Sequence, residues 1–428
     1  MTAPPPETEF IVAPATHPPA DATLQTPAGT LHLAVALDGA GWHPAAWREP
    51  DARPDRLFTA AYWVDLAQQA EQGLLDFVTI EDSLDLQSDD HFGRDERTDR
   101  VRGRLDAVLI AARAAPRTRH IGFVPTAITT HTEPFHISKA IATLDYVCAG
   151  RAGVRVQVAG RAGTAAHFGR REVAPLSVER LADPGVQALI AGHFDEAADY
   201  VEVLRRLWDS WQDGAEIRDV ATGRFIDRDK LHYIDFEGRW FAVRGPSITP
   251  RPPQGQPVVA ALGHATVPYR LIARSADIGF VTPHDRASAA GIVAEIRAEQ
   301  KAAGREAETI HVFGDVVVFI DDSAATAQAR RERLDELAGA TYSSDAHIFA
   351  GTAAELADLL LDWRDAGLAG FRLRPGALPH DLAQITGALV PELQRRGAFR
   401  TAYPAASGPG TLRGLLGLPR PVNRYAAA

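Results

Sequence analysis

LHLAVALDGAGWHP, residues 31–44, is a short apolar run that passes at once into two glycines, a tryptophan, a histidine and a proline. The run 31–37 has the length and composition of a strand buried on both faces. The residues after it separate two architectures. An open dinucleotide-binding sheet needs a Gly-rich turn that leads directly into a helix N-terminus able to hold a pyrophosphate. Here Gly39 and Gly41 are followed by bulky Trp42 and by Pro44, which weakens the dinucleotide reading and favours a barrel.

Along the rest of the chain the same rhythm continues. Strand-like runs recur at 77–80 (FVTI), 121–125 (IGFVP), 152–158 (AGVRVQV), 258–262 (VVAAL), 277–282 (DIGFVT), 310–320 (IHVFGDVVVFI) and 370–375 (GFRLRP). Amphipathic helical segments fall near 57–75, 100–116, 134–148, 193–212, 266–275, 287–304, 323–338 with 352–366, and 379–396. One of them opens at Thr352 with Glu355 three positions on, the capping-box spacing. Eight strand-then-helix units with doubly apolar strands predict an α/β fold, a (β/α)8 TIM barrel, with an open doubly wound sheet as the competing architecture. The expected organisation is a flexible Pro/Ala/Thr-rich leader at 1–28 and one barrel over 29–428. Insertions are expected near 161–192 and 213–256, the second bearing hairpins, and a Gly/Pro/Arg-rich tail at 398–428.

The 428 residues are 46% hydrophobic and 23% charged, which is ordinary globular composition. A net charge of −10 would oppose a nucleic acid or an anionic membrane surface, so neither is expected as a partner. The single cysteine, Cys148, rules out an internal disulfide framework and reads as a small buried residue. No apolar run is long enough to span a bilayer, and MTAPPPETEF lacks the features of a signal peptide, so a cytoplasmic enzyme is expected.

In a barrel, chemistry sits at the C-terminal strand ends. Those positions hold Asp38, Trp42 and His43; Glu81, Asp82 and Ser83; Thr126, Thr129, Thr130, His131 and His136; Arg155 and Gln157; and His264 and Thr266. Hydroxyls, amides and imidazoles dominate. His131 and His136, spaced by five across Pro134, make a poor metal pair, so no metal is expected. No nucleophile elbow or Walker loop is present. The inventory suits a planar amphipathic cofactor, with residues 262–266, including Gly263, His264 and Thr266, placed to meet a phosphate ahead of a helix. Trp42, Trp47, Phe135 and Tyr146 either line an apolar substrate space or pack in the core.

Further motifs complete a pattern. They are Gly41-Trp42-His43-Pro44, Ala70-Glu71-Gln72-Gly73, Glu81-Asp82-Ser83, Glu133-Pro134-Phe135-His136, Gly150-Arg151-Ala152-Gly153, Leu207-Trp208-Asp209-Ser210-Trp211 and Leu389-Val390-Pro391-Glu392-Leu393 through Leu418-Pro419-Arg420-Pro421. Over roughly residues 31–424 the chain resembles the bacterial luciferase-like flavin-dependent monooxygenases, in the group of nitrilotriacetate monooxygenase component A. The resemblance implies a dimeric or larger homo-oligomer. It also implies reduced FMN taken from a separate flavin reductase and used with dioxygen to oxygenate a small organic substrate.

By motif position it places Glu81, Asp82, Ser83 and Thr126 beside the isoalloxazine, Gly263 at the phosphate, and His43 as the catalytic residue on the substrate side. The chain departs from the pattern where the family commonly has Trp-Asn and Thr-Ser: here stand Val154-Arg155 and Val158-Ala159. The usual Gln-Ala-Gly-Ser-Ser phosphate region reads Ala261-Leu262-Gly263-His264-Ala265. Arg155, Gln157, His264 and Thr266 are the expected compensators. Two other functions stay open on this reading: a deazaflavin-dependent hydride transfer, and a flavin-binding homologue that has lost catalysis.

Overall fold

The computed structural model describes residues 30–90, 93–173, 177–404 and 410–426. The expected leader at 1–28 lies outside the described residues. Eight parallel strands form the barrel: β1 (His32–Leu37), β2 (Phe77–Ile80), β3 (Gly122–Ile128), β4 (Gly153–Gln157), β5 (Val258–Gly263), β6 (Ile278–Val281), β7 (His311–Ile320) and β8 (Gly370–Pro375). Each pairs with its sequence neighbour among the eight. β1 pairs with β8 in the register His32↔Gly370, so the eight strands close into a barrel. The open doubly wound sheet is excluded by that closure.

Helices α1 (Ala60–Gln72), α2 (Ala107–Ala114), α3 (Pro134–Val147), α4 (Ala162–Phe168), α5 (Pro184–Asp209), α6 (Thr266–Ser275), α7 (Arg286–Ala302), α8 (Ala324–Ala338) and α9 (Ala353–Arg364) surround the strands. Thr352 and Glu355 form the reciprocal capping box at the start of α9. Two short hairpins, Glu216–Asp219 with Arg224–Ile226 and Phe236–Glu237 with Ala242–Val243, lie between α5 and β5.

A ninth strand, His347–Gly351, was not anticipated. It pairs with the C-terminal half of β7, Val316↔His347 to Ile320↔Gly351, beyond the rim of the barrel. Five residues, half-buried and without clean alternation, give too weak a signal to separate it from the helices on either side.

Side chains alternate across each strand, so one set of every second residue fills the barrel. The lower part of that set is apolar: Ala34, Phe77, Val124, Val258, Ala260, Ile278, Phe280 and Phe313. The chain's C-terminal segment plugs the floor with Leu412, Leu416 and Leu418, which belong to the same cluster. Polar contacts help fix the plug. His311 Nε2–H donates to the Leu416 carbonyl at 2.8 Å, and Arg413 reaches Asp277 at 3.1 Å. Burial pushes the His311 imidazole down to about 4, so it packs as the neutral ring.

Cys148 is fully buried, and burial raises its thiol to about 12, leaving it protonated and inert. No helix among the described residues is long and apolar enough to cross a membrane.

Candidate active site at the strand ends

Above the apolar floor, the inward positions of the same strands turn polar. β2 contributes Thr79 and then Glu81, β3 Thr126, β4 Arg155 and Gln157, β7 Asp315, and β8 Arg372 and Arg374. Each pair from one strand is two apart, as the period of a strand requires. Their contacts form one continuous lattice. Arg155 donates from Nε to Thr126 Oγ1 at 3.0 Å and from Nη2 to Gln157 Oε1 at 2.7 Å, and it ion-pairs with Glu81 Oε2. The other Glu81 oxygen accepts from Arg372 at 3.3 Å. Arg372 and Arg374 then share Asp315, each with its Nε at 2.9 Å from a carboxylate oxygen. Arg374 continues outward to Asp345 at 2.7 Å.

Aromatic planes bracket the cations. The Arg372 guanidinium lies 4.1 Å from the Phe280 ring centroid and Arg374 lies 4.4 Å from that of Trp42.

Charge at these positions is set by burial against pairing. Burial opposes ionisation of Glu81, but Arg155 and Arg372 outweigh it and hold the carboxyl below its usual range. Asp315 follows the same course through Arg372 and Arg374. Burial lowers Arg155 to about 10, with Glu81 opposing the shift, so it remains cationic at neutral pH. Glu81 is therefore an acceptor and a fixed negative charge, not a proton donor.

The structure brings four of the expected residues, Glu81, Thr126, Arg155 and Gln157, into direct contact. The others stand apart from them. Asp82 accepts from the Ser83 N–H at 2.7 Å and the Ala107 N–H at 2.9 Å, so its carboxylate anchors the start of α2. Ser83 Oγ donates to the Asp85 carbonyl at 3.0 Å within its own turn. A Cβ on Gly263 would lie 2.8 Å from Tyr269, so this glycine lets α6 approach β5. Thr266 Oγ1 donates to Glu295 of α7 at 2.6 Å. His264 is half exposed, with Nδ1 at 3.0 Å from Thr282 Oγ1 and Nε2 at 3.5 Å from Asp345. It precedes α6, whose start no side chain caps.

His43 occupies a different layer. The loop that carries it is pinned to the end of β8: Trp42 N–H donates to the Pro375 carbonyl at 2.9 Å and His43 N–H to that of Gly376 at 3.0 Å. Gly41, at φ +128°, makes this approach possible, since a Cβ there would sit 2.5 Å from the Gly376 oxygen. Nδ1 of His43 accepts the Ala45 N–H at 3.1 Å, and Nε2–H donates to Asp335 of α8 at 3.0 Å. Both nitrogens are thus engaged. Burial lowers the pKa against the pull of Asp335, and the ring packs beside Tyr342 and Phe319.

Of the four candidate aromatics, Trp42 alone joins the charged lattice. Trp47 donates to the Asp99 carbonyl at 3.2 Å, Phe135 packs on the hairpin cluster, and Tyr146 donates to the Arg251 carbonyl at 2.8 Å. His131 is buried against Phe168 while His136 is exposed, and no group of three metal-ligating side chains occurs among the described residues.

Sequence reasoning missed Asp315, Arg372, Arg374 and Asp345. A signal was present for three of them. Asp315 is the only charge in the apolar run 310–320 apart from His311, and Arg372 and Arg374 alternate with apolar residues in GFRLRP, a pattern that sets both on one face.

A narrow cleft opens beside Glu81, lined by Asp38, Leu57, Phe58, Trp63, Val101 and Arg104 among others. Arg104 closes it with an ion pair to Asp38, Nε lying 3.1 Å from Oδ1.

Comparison with known proteins agrees with the barrel fold. The luciferase-like monooxygenase family model matches residues 40–370. The chain is 31% identical to N-acetyl-S-(2-succino)cysteine monooxygenase of Bacillus subtilis, covering 92% of this chain and 98% of that protein. It is 28% identical to nitrilotriacetate monooxygenase component A of Aminobacter aminovorans, with the same two coverages. Among solved structures, a riboflavin lyase with modified FMN and riboflavin superposes with a TM-score of 0.77 at 25% identity, covering 92% of this chain and 97% of that one.

Proposed function

Because the chain belongs to the luciferase-like monooxygenase family, we propose that it is the oxygenase of a two-component system, using reduced FMN from a separate reductase and dioxygen to oxygenate a small organic molecule. The observation that carries this reading is the contact set Glu81–Arg155–Thr126–Gln157 at the strand ends. It presents an amide, a hydroxyl, a guanidinium and a carboxylate within one patch. That donor and acceptor set fits the polar edge of an isoalloxazine, and the Trp42 plane and partly buried Leu262 supply apolar surface. When bound, reduced FMN supplies the electrons that activate dioxygen.

The protein's part is to bind, orient and exclude water. Arg155, cationic and fixed on three sides, places positive charge where a reduced, electron-rich ring gains from it. Glu81 holds Arg155 and Arg372 in position. The uncapped start of α6 beside His264 is the place for the phosphate, where backbone N–H groups replace the hydroxyls that residues 261–265 lack. His43, with both nitrogens occupied, positions Trp42 by holding its loop to α8. Beside Glu81, the Arg104–Asp38 ion pair closes the narrow cleft and restricts water there.

The test is an anaerobic titration of the purified chain with photoreduced FMN and, separately, with a reduced deazaflavin, read by tryptophan quenching. Binding of reduced FMN at micromolar or tighter affinity supports the proposal; binding of the deazaflavin alone contradicts it.

A further inference from the structure

Charge inside the mouth does not balance within the barrel strands. Arg155, Arg372 and Arg374 face Glu81 and Asp315, which leaves one positive charge over. The balancing anion comes from outside the strands: Asp345, on the connection between α8 and the strand His347–Gly351. It differs from the other two carboxylates in accessibility. The Asp345 side chain is 42% exposed, against 9% for Glu81 and 0% for Asp315.

The cation it meets is permanent and buried. The Arg374 side chain is 1% exposed, fixed by Asp315 on one edge and stacked on Trp42. Its outer edge offers two N–H groups to Asp345, Nη1 at 2.7 Å and Nη2 at 3.2 Å, in the forked geometry that guanidinium gives to any planar oxyanion. Ser344 Oγ donates to the same carboxylate at 3.1 Å, and His264 Nε2 stands 3.5 Å away with its other nitrogen already held by Thr282. A buried guanidinium stripped of its counter-charge is costly, so Asp345 leaves this corner only if another oxyanion replaces it.

We infer that the corner formed by Arg374 and His264 is an oxyanion subsite in which Asp345 is a resident stand-in, and that a carboxylate or phosphate group on a molecule entering the mouth exchanges with it. This deepens the reading of the mouth as the ligand site and rests on it only for location. The connection 339–346 would move with the exchange, because Asp345 is its charged tie to the barrel interior.

The experiment monitors intrinsic tryptophan fluorescence of the full chain, Trp42 lying against Arg374, as succinate, oxidised FMN or riboflavin is added to wild type, Asp345→Asn and Asp345→Glu. Removing the resident charge should tighten binding of the oxyanion probe by about tenfold or more, and Asp345→Glu should bind as wild type does. A gain for FMN without a gain for riboflavin assigns the subsite to the flavin phosphate. A gain for succinate with the FMN-to-riboflavin ratio unchanged assigns it to a substrate carboxylate. Equal affinities of wild type and Asp345→Asn for both succinate and FMN overturn the inference. Should Asp345→Asn not fold, His264→Ala at its half-exposed position reads the same corner: weaker oxyanion binding supports the subsite and unchanged binding overturns it. If neither flavin binds wild type while succinate still gains in Asp345→Asn, the flavin reading fails and the subsite stands.

Discussion

Arg372 and Asp315 form a two-point ion pair in which neither side chain is exposed, with Nε 2.9 Å from Oδ1 and Nη2 bonded to the second oxygen. The two residues are register partners on the adjacent strands β7 and β8, and through Arg374 the pair ties both strands to the connection over the mouth.

Removing one member of such a pair leaves the other charge buried without compensation. Asp315→Asn should therefore lose about 3–5 kcal/mol of stability in urea unfolding. Arg372→Met combined with Asp315→Asn should lose less than the sum of the two single changes, because the second change removes a charge that the first stranded. Additive losses would show that the two residues do not act as a pair.

The floor of the barrel predicts a pH dependence. His311 has a folded value of about 4 against 6.5 for the free side chain, so between these limits the unfolded chain binds more protons than the folded one. Stability from this residue is fully present above about pH 6.5 and falls as pH drops toward 4. Wild type should lose about 2 kcal/mol through His311 between pH 7 and pH 5, and His311→Gln should remove that part of the slope. Denaturant midpoints of both proteins at the two pH values check this; parallel losses would contradict it.

At the first loop, Gly41→Ala meets both a left-handed φ of +128° and a carbonyl 2.5 Å from the new Cβ. The expected cost is about 2 kcal/mol or more, with Trp42 displaced from Arg374. Thermal unfolding and near-UV circular dichroism read the two effects. A variant of wild-type stability and unchanged near-UV signal would mean that the loop tolerates another backbone path.

The barrel was legible because every one of its strands carries its own apolar run, and the period of eight needs no long-range information. The strand His347–Gly351 was not, since it exists only by pairing with an overlong β7. At the site, Glu81, Thr126, Arg155 and Gln157 could be found from their positions at strand ends. Asp315 was visible as a lone acid in an apolar strand, but its role was not, because that role comes from Arg372 and Arg374, more than fifty residues away. His43 illustrates the converse. Its motif marks a place in the fold, whereas its hydrogen bonds to Ala45 and Asp335, one short-range and one reaching α8, set what its nitrogens can do.

The sharpest test of the proposal that the cluster around Arg155 holds a reduced flavin is an anaerobic titration of wild type and Arg155→Lys with photoreduced FMN. Thermal unfolding confirms that both are folded. Lysine keeps the charge but loses the fork that reaches Thr126, Gln157 and Glu81 together. Micromolar or tighter binding to wild type is expected, with affinity at least about tenfold weaker in the variant. Equal affinity in the two folded proteins would contradict the proposal.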